Sequence, residues 1–112
     1  MKKLYVIPEG AQDFMEQPIV FARGTDIVIR FDYETEDGSY SYKGIVFRNC
    51  SQFEHKSESE IKYSDFREAY NSIAFNDGVY YIFFDGFGLY SFVASGYDLL
   101  TNPNLEEDDV ML

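Results

Sequence analysis

DGVYYIFFDGFGLYSFVA, residues 77 to 94, is the run of sequence on which the fold turns. Two aromatic segments, 79–84 and 89–95, flank Asp85-Gly86-Phe87-Gly88, and glycine supplies the positive φ that tight turns need, so the run reads as a β-hairpin. With a loop of two or four residues, one face collects Val79, Tyr81, Phe83, Tyr90, Phe92 and Ala94. The other collects Tyr80, Ile82, Phe84, Leu89, Ser91 and Val93. Neither face is polar, so each needs a cover. One is expected to meet a helix. The other, with Tyr80, Ile82, Phe84, Leu89 and Val93, is expected to meet a second sheet layer or a second copy of the chain.

The helix to cover it is predicted just upstream, in SDFREAYNSIAFNDG, residues 64 to 78. Ser64 or Asp65 serves as N-cap, Glu68 follows Asp65 by three, and Phe66, Ala69, Tyr70 and Ile73 recur at helical spacing, predicting a helix over 65–75. Asn76-Asp77-Gly78 ends it. So short a helix is unstable alone, and its stripe Phe66, Tyr70 and Ile73 is expected to dock on Tyr81, Phe83 and Phe92, or on the opposite set.

A second hairpin is predicted in TDIVIRFDYETEDGSYSYKGIVFRN, residues 25 to 49, because Asp37-Gly38 sits between alternating runs. A two-residue loop there places Tyr33 opposite Tyr42, Phe31 opposite Gly44, Ile29 opposite Val46 and Thr35 opposite Tyr40. The reverse face pairs Asp32 with Lys43, Arg30 with Ile45 and Val28 with Phe47. Shorter strands read at 3–7, ended by Pro8, at 18–22, and at 51–55 before a charged loop at 56–60. Residues 9–17 read as one helical turn or a loop. These elements add up to a mainly β domain: an antiparallel sheet or small sandwich of six to seven strands with one short helix near 65–75. Residues 1–101 form that domain. Residues 102–112, with Glu106, Glu107, Asp108 and Asp109 in a row, read as an acidic tail that frays or waits for a partner.

The chain of 112 residues carries 20 Asp and Glu against 9 Lys and Arg, a net charge of -11. Such a balance repels phosphate backbones and anionic lipid, so neither nucleic acid nor membrane is an expected partner. The apolar run at 79–84 is far short of the ~20 residues that span a bilayer. A single cysteine, Cys50, rules out an internal disulfide and points to the cytoplasm. One cysteine and one histidine, His55, cannot build a structural zinc site, and the acidic tail lacks the alternation and central glycine of a calcium loop. FFDGFG has no lysine and no phosphate-loop pattern around it. No catalytic residue, metal or cofactor is expected, and the chain reads as a non-enzyme.

Ten tyrosines and eleven phenylalanines make up 19% of the chain, more ring surface than a core of this size holds, so some of it is expected to face solvent. Exposed rings on an acidic scaffold suit a protein-binding surface, because aromatic anchors dominate hot spots and charges set partner choice. The candidate surface is the outward side of the first hairpin: Asp32, Glu34, Glu36 and Asp37, with Tyr40 and Tyr42.

GIVFRNCSQFE, a strand ending in Phe-x-Asn followed by another phenylalanine, lies within 26–54. It resembles stretches in small, acidic, β-rich bacterial immunity proteins of polymorphic toxin systems. The resemblance implies a cytoplasmic protein that neutralises a toxin, often a basic nuclease, by covering its active site with acidic and aromatic groups. The alternative is a self-associating structural or accessory domain with the aromatic hairpin as its homodimer interface.

Overall fold

A computed structural model describes residues 1–7, 18–101 and 103–112. Among these residues there are ten strands: β1 (Lys2–Val6), β2 (Ile19–Arg23), β3 (Asp26–Glu34), β4 (Tyr40–Arg48), β5 (Ser51–Lys56), β6 (Ser72–Asn76), β7 (Val79–Phe84), β8 (Gly88–Val93), β9 (Gly96–Thr101) and β10 (Val110–Met111). They build two five-stranded antiparallel sheets, ordered β1-β6-β7-β8-β5 and β10-β2-β3-β4-β9. The mainly β reading holds. The count of six to seven strands does not, because β6 and β10 arise where the sequence reads as helix and tail, and β9 where no element is expected. Pro8 and the turn or loop expected at 9–17 lie outside the described residues.

The main core fills the space between the sheets. Ile27, Ile29, Ile45 and Phe47 from one sheet meet Ile73, Ile82, Phe84 and Phe92 from the other. Phe47 crosses Phe92 edge to face at 4.5 Å and Tyr80 at 5.4 Å, a geometry worth about 0.5–1.5 kcal/mol per pair beyond the area it buries. The aromatic hairpin β7–β8 is therefore core on one side. Its other side is covered as well: Phe83, Leu89 and Ala74 pack under Ile61, Phe66 and Tyr70.

The predicted helix over 65–75 survives only as α1 (Tyr63–Phe66), extended by a 3-10 turn at Arg67–Ala69. Its docking is as expected at two contacts, Phe66 against Tyr81 at 5.7 Å and Tyr70 against Phe83 at 5.6 Å. Ile73 and Phe92 belong instead to the core between the sheets. The reason is the pair Asp77-Gly78. Both residues have positive φ, 49° and 82°, and join Asn76 to Val79 as a two-residue hairpin turn. Residues 72–76 thus satisfy their backbone in a sheet, which a short isolated helix cannot match.

Both hairpins differ from expectation in register, for the same reason. Asp37-Gly38 is not a two-residue loop. The loop is Glu36-Asp37-Gly38, closed by the Thr35 N–H on the Ser39 carbonyl at 2.8 Å, with Gly38 at φ 83°. A glycine in this conformation after a turn makes the three-residue hairpin with a bulge. The pairing shifts by one: Asp32 lies opposite Tyr42, Phe31 opposite Lys43, Ile29 opposite Ile45, Val28 opposite Val46 and Glu34 opposite Tyr40. In β7–β8 the loop is Asp85-Gly86-Phe87, with Phe84 opposite Gly88. The faces therefore regroup as Tyr80, Ile82, Phe84, Tyr90 and Phe92 inward, and Tyr81, Phe83 and Leu89 outward.

The acidic tail is anchored. Pro103 is buried over Gly44, where an added Cβ would stand 2.7 Å from the proline ring. Asp109 takes two hydrogen bonds from the Arg23 guanidinium, both at 3.0 Å, and β10 pairs with β2. The contact with Arg23 holds the Asp109 carboxyl below its usual range and raises Arg23 in turn.

Candidate functional site

The expected surface on the first hairpin divides in two. Glu34, Glu36, Asp37 and Tyr40 are exposed at its end, with Tyr40 at 51%. Asp32 is buried, at 5% exposure, and is not a surface carboxylate. Tyr42 is half-buried, and the Arg30 guanidinium lies 3.7 Å from its ring centroid. The alternation of β3 places Asp32 on the same side as Val28 and Arg30, away from the core between the sheets, but that side is largely covered around Phe21, Val28 and Val46.

The hairpin end is stiffened by Asp37. Its carboxylate accepts from the Ser39 hydroxyl at 2.6 Å, the Ser39 N–H at 3.0 Å and the Thr35 hydroxyl. The Ser39 and Thr35 hydroxyls, then the Ser39 N–H, bring its pKa down to about 2. Asp37 is thus an ordered anion, and Glu36 beside it is exposed.

Four of the five residues proposed for self-association are buried. Tyr80 is 9% exposed, Ile82 and Phe84 are wholly buried, and Leu89 is 4% exposed on the opposite face. Val93 is half-buried and pairs with Ser51. A dimer through Tyr80, Ile82 and Phe84 would require the sheets to part, so the second sheet is the cover the sequence calls for.

A cleft of about 450 Å³ that the sequence did not single out opens on the outer side of β7. Glu58, Ile61, Tyr63, Tyr70, Phe83 and Asp85 line it. Ser57 starts the 3-10 turn Glu58–Glu60, and the Glu60 carboxylate takes the Ser57 N–H at 3.0 Å and its hydroxyl at 2.8 Å, which lowers its pKa. That turn delivers Glu58, whose Oε1 accepts the Gly86 N–H at 2.9 Å. Asn71 sets the opposite wall. It is buried, has φ 45°, donates its N–H to the Phe83 carbonyl at 2.7 Å and accepts the Asp85 N–H on Oδ1 at 3.2 Å. Burial, then the hydrogen bond to Asp85, raises the Tyr70 hydroxyl above its usual pKa.

His55 and Cys50 stand apart from this cleft. His55 is an exposed β5 residue stacked on Tyr90 at 4.3 Å, its Nε2 donating to the Phe87 carbonyl at 2.9 Å. Cys50 is half-buried between β4 and β5, and burial raises its thiol pKa. Among the described residues no group of three His, Cys, Asp or Glu is placed to hold a metal ion, and no helix is long and apolar enough to cross a membrane. Comparison with protein-family models, with curated proteins and with solved structures finds no match.

Proposed function

We propose that the chain is a non-enzymatic protein-binding domain that neutralises a basic toxin by presenting anions and tyrosine on a rigid sandwich. The observation that carries this reading is the end of the β3–β4 hairpin, where Glu34, Glu36, Asp37 and Tyr40 are exposed together. Asp37 is pre-organised by Thr35 and Ser39, so little order need be gained when a cationic surface arrives. A net charge of -11 speeds encounter with such a surface. The resemblance of GIVFRNCSQFE to immunity proteins supports the same reading and supplies the toxin.

The test is co-expression of this chain with the product of the neighbouring reading frame, scored by growth and by a purified complex. Expected are restored growth, an affinity that falls with added salt, and loss of both in the double variant Glu34→Lys, Glu36→Lys. Neither protection nor a complex, or a complex indifferent to salt and to charge reversal, would sink the proposal.

A further inference from the structure

The outer cleft of β7 is unused by the hairpin reading, and its chemistry is distinct. We propose that it is a guanidinium pocket, filled by an arginine side chain of a protein partner. The source of the arginine rests on the reading of the chain as a protein-binding domain; the pocket itself rests on its own geometry.

Three rings wall the space. Tyr63 crosses Tyr70 at 85° with centroids 5.3 Å apart, and crosses Phe83 at 83° and 6.1 Å. Tyr70 and Phe83 are inclined by 56° at 5.6 Å. At these distances the rings pack on one another, edge to face or tilted, and so form one aromatic wall beside the cleft, whose π surface attracts a cation. Two carboxylates then sign the site. Among the described residues only Oε1 of Glu58 is engaged, by the Gly86 N–H, which fixes the side chain and leaves Oε2 for a ligand. Asp85, next in sequence to the Gly86 that Glu58 holds, also lines the cleft and lies near enough to Tyr70 to help raise its hydroxyl pKa. None of the six lining residues is Lys or Arg, so this charge is not neutralised from within the cleft.

Guanidinium fits these walls better than the other organic cations. It is planar and weakly hydrated, so it stacks on a ring, and its several N–H donors reach two carboxylates at once. A quaternary ammonium ion has no donor for Glu58 or Asp85. Ile61 adds an apolar wall for the alkyl stem. The cleft is open to solvent on one side, with Tyr63 53% exposed at its rim, which suits a side chain presented on a surface.

The experiment is an NMR titration of the intact chain with N-acetyl-arginine amide, watching the Tyr63, Tyr70 and Phe83 ring signals. N-acetyl-citrulline amide serves as neutral counterpart and tetramethylammonium as donor-free cation. Expected are saturable shifts with the arginine amide, none with citrulline, and weaker shifts with tetramethylammonium. Tyr63→Leu should weaken arginine binding about tenfold, equivalent to ~1.4 kcal/mol, and Glu58→Gln should weaken it while keeping the Gly86 contact. Both side chains are exposed, so unchanged thermal unfolding will separate lost binding from lost fold. Absence of saturation, equal binding of citrulline, or tighter binding of tetramethylammonium that ignores Glu58→Gln would each overturn the guanidinium assignment. If arginine fails here while Glu34 and Glu36 reversal still abolishes a toxin complex, the pocket is wrong and the proposed function stands. If arginine binds and no toxin complex forms, the reverse holds.

Discussion

The side-chain oxygen of Asn71 accepts the backbone N–H of Asp85 at 3.2 Å, tying a left-handed residue before β6 to the loop that closes the β7–β8 hairpin. Asn71 also receives the Ile7 N–H on its carbonyl at 2.9 Å, so one buried residue fastens β1, β7 and the loop together. Asn71→Gly keeps the backbone free to adopt φ 45° but removes the acceptor. It is expected to cost about 0.5–1.5 kcal/mol, the net worth of one part-buried hydrogen bond. Asn71→Ala should cost about 1–2 kcal/mol more, because alanine is strained in the left-handed region. Urea denaturation measures both, and a glycine variant as stable as the parent would mean that water replaces the bond.

Gly88 has φ 103°, and a Cβ added there would stand 2.3 Å from the Lys56 carbonyl oxygen and 2.9 Å from His55 Nε2. Gly88→Ala must therefore push β5 off β8 as well as strain its own backbone. A loss of about 2–4 kcal/mol is expected, from overpacking and φ strain together. Gly96, with nothing within 4 Å of the same added atom, is the control, and Gly96→Ala should stay within about 0.5 kcal/mol of the parent. Equal losses at the two sites, read from thermal unfolding, would contradict the tight β5–β8 contact.

Phe47 is wholly buried between Tyr80 and Phe92, so Phe47→Ala should cost about 3–5 kcal/mol. Leu99, inward-facing on the edge strand β9 but 51% exposed, should lose well under half of that, about 1 kcal/mol, because little is buried there to lose. Chemical denaturation of the two variants thus reads where the core stops.

Asp37 titrates at about 2 in the folded chain because Ser39 and Thr35 hydrogen-bond its charged form; the unfolded value is ~3.9. Its folded pKa is depressed, so the stabilisation is fully present above ~pH 4 and disappears as the pH falls through ~2. Asp37→Asn should flatten the stability profile over that interval and leave it unchanged in shape above it. A carboxyl carbon titration by NMR gives the pKa directly, and a midpoint near 4 would remove the argument for an ordered anion at the hairpin end.

The layered β architecture was legible because residues 79–84 are apolar on both faces, which demands a cover on each side. The docking of Phe66 and Tyr70 followed from the same demand. The error over 72–76 came from reading Ile73 by helical spacing alone: SIAFN also alternates, and only the sheet context decides between periods. Asp77-Gly78 carries both meanings, helix stop and hairpin turn, and the second prevailed. Asp32 was misplaced because alternation assigns a side of the sheet and says nothing about what covers that side. The cleft was not legible, since Glu58, Tyr63, Tyr70, Phe83 and Asp85 meet only through the packing of three separate segments, and Asn71, which fixes one wall, gives no signal beyond its tolerance of positive φ.

The loops Glu36-Asp37-Gly38 and Asp85-Gly86-Phe87 each hold an odd number of residues between paired strands. Turn type is what matters to inheritance here. If one of these loops lost a codon yet kept its three-residue turn, the next strand would slip by one and send a run such as Tyr90 and Phe92 to the outside, whereas a switch to a two- or four-residue turn absorbs the change and preserves the facing. Single-residue length variation at these two loops should thus travel with a change in the residues that set the turn, Gly38 and Gly88 among them.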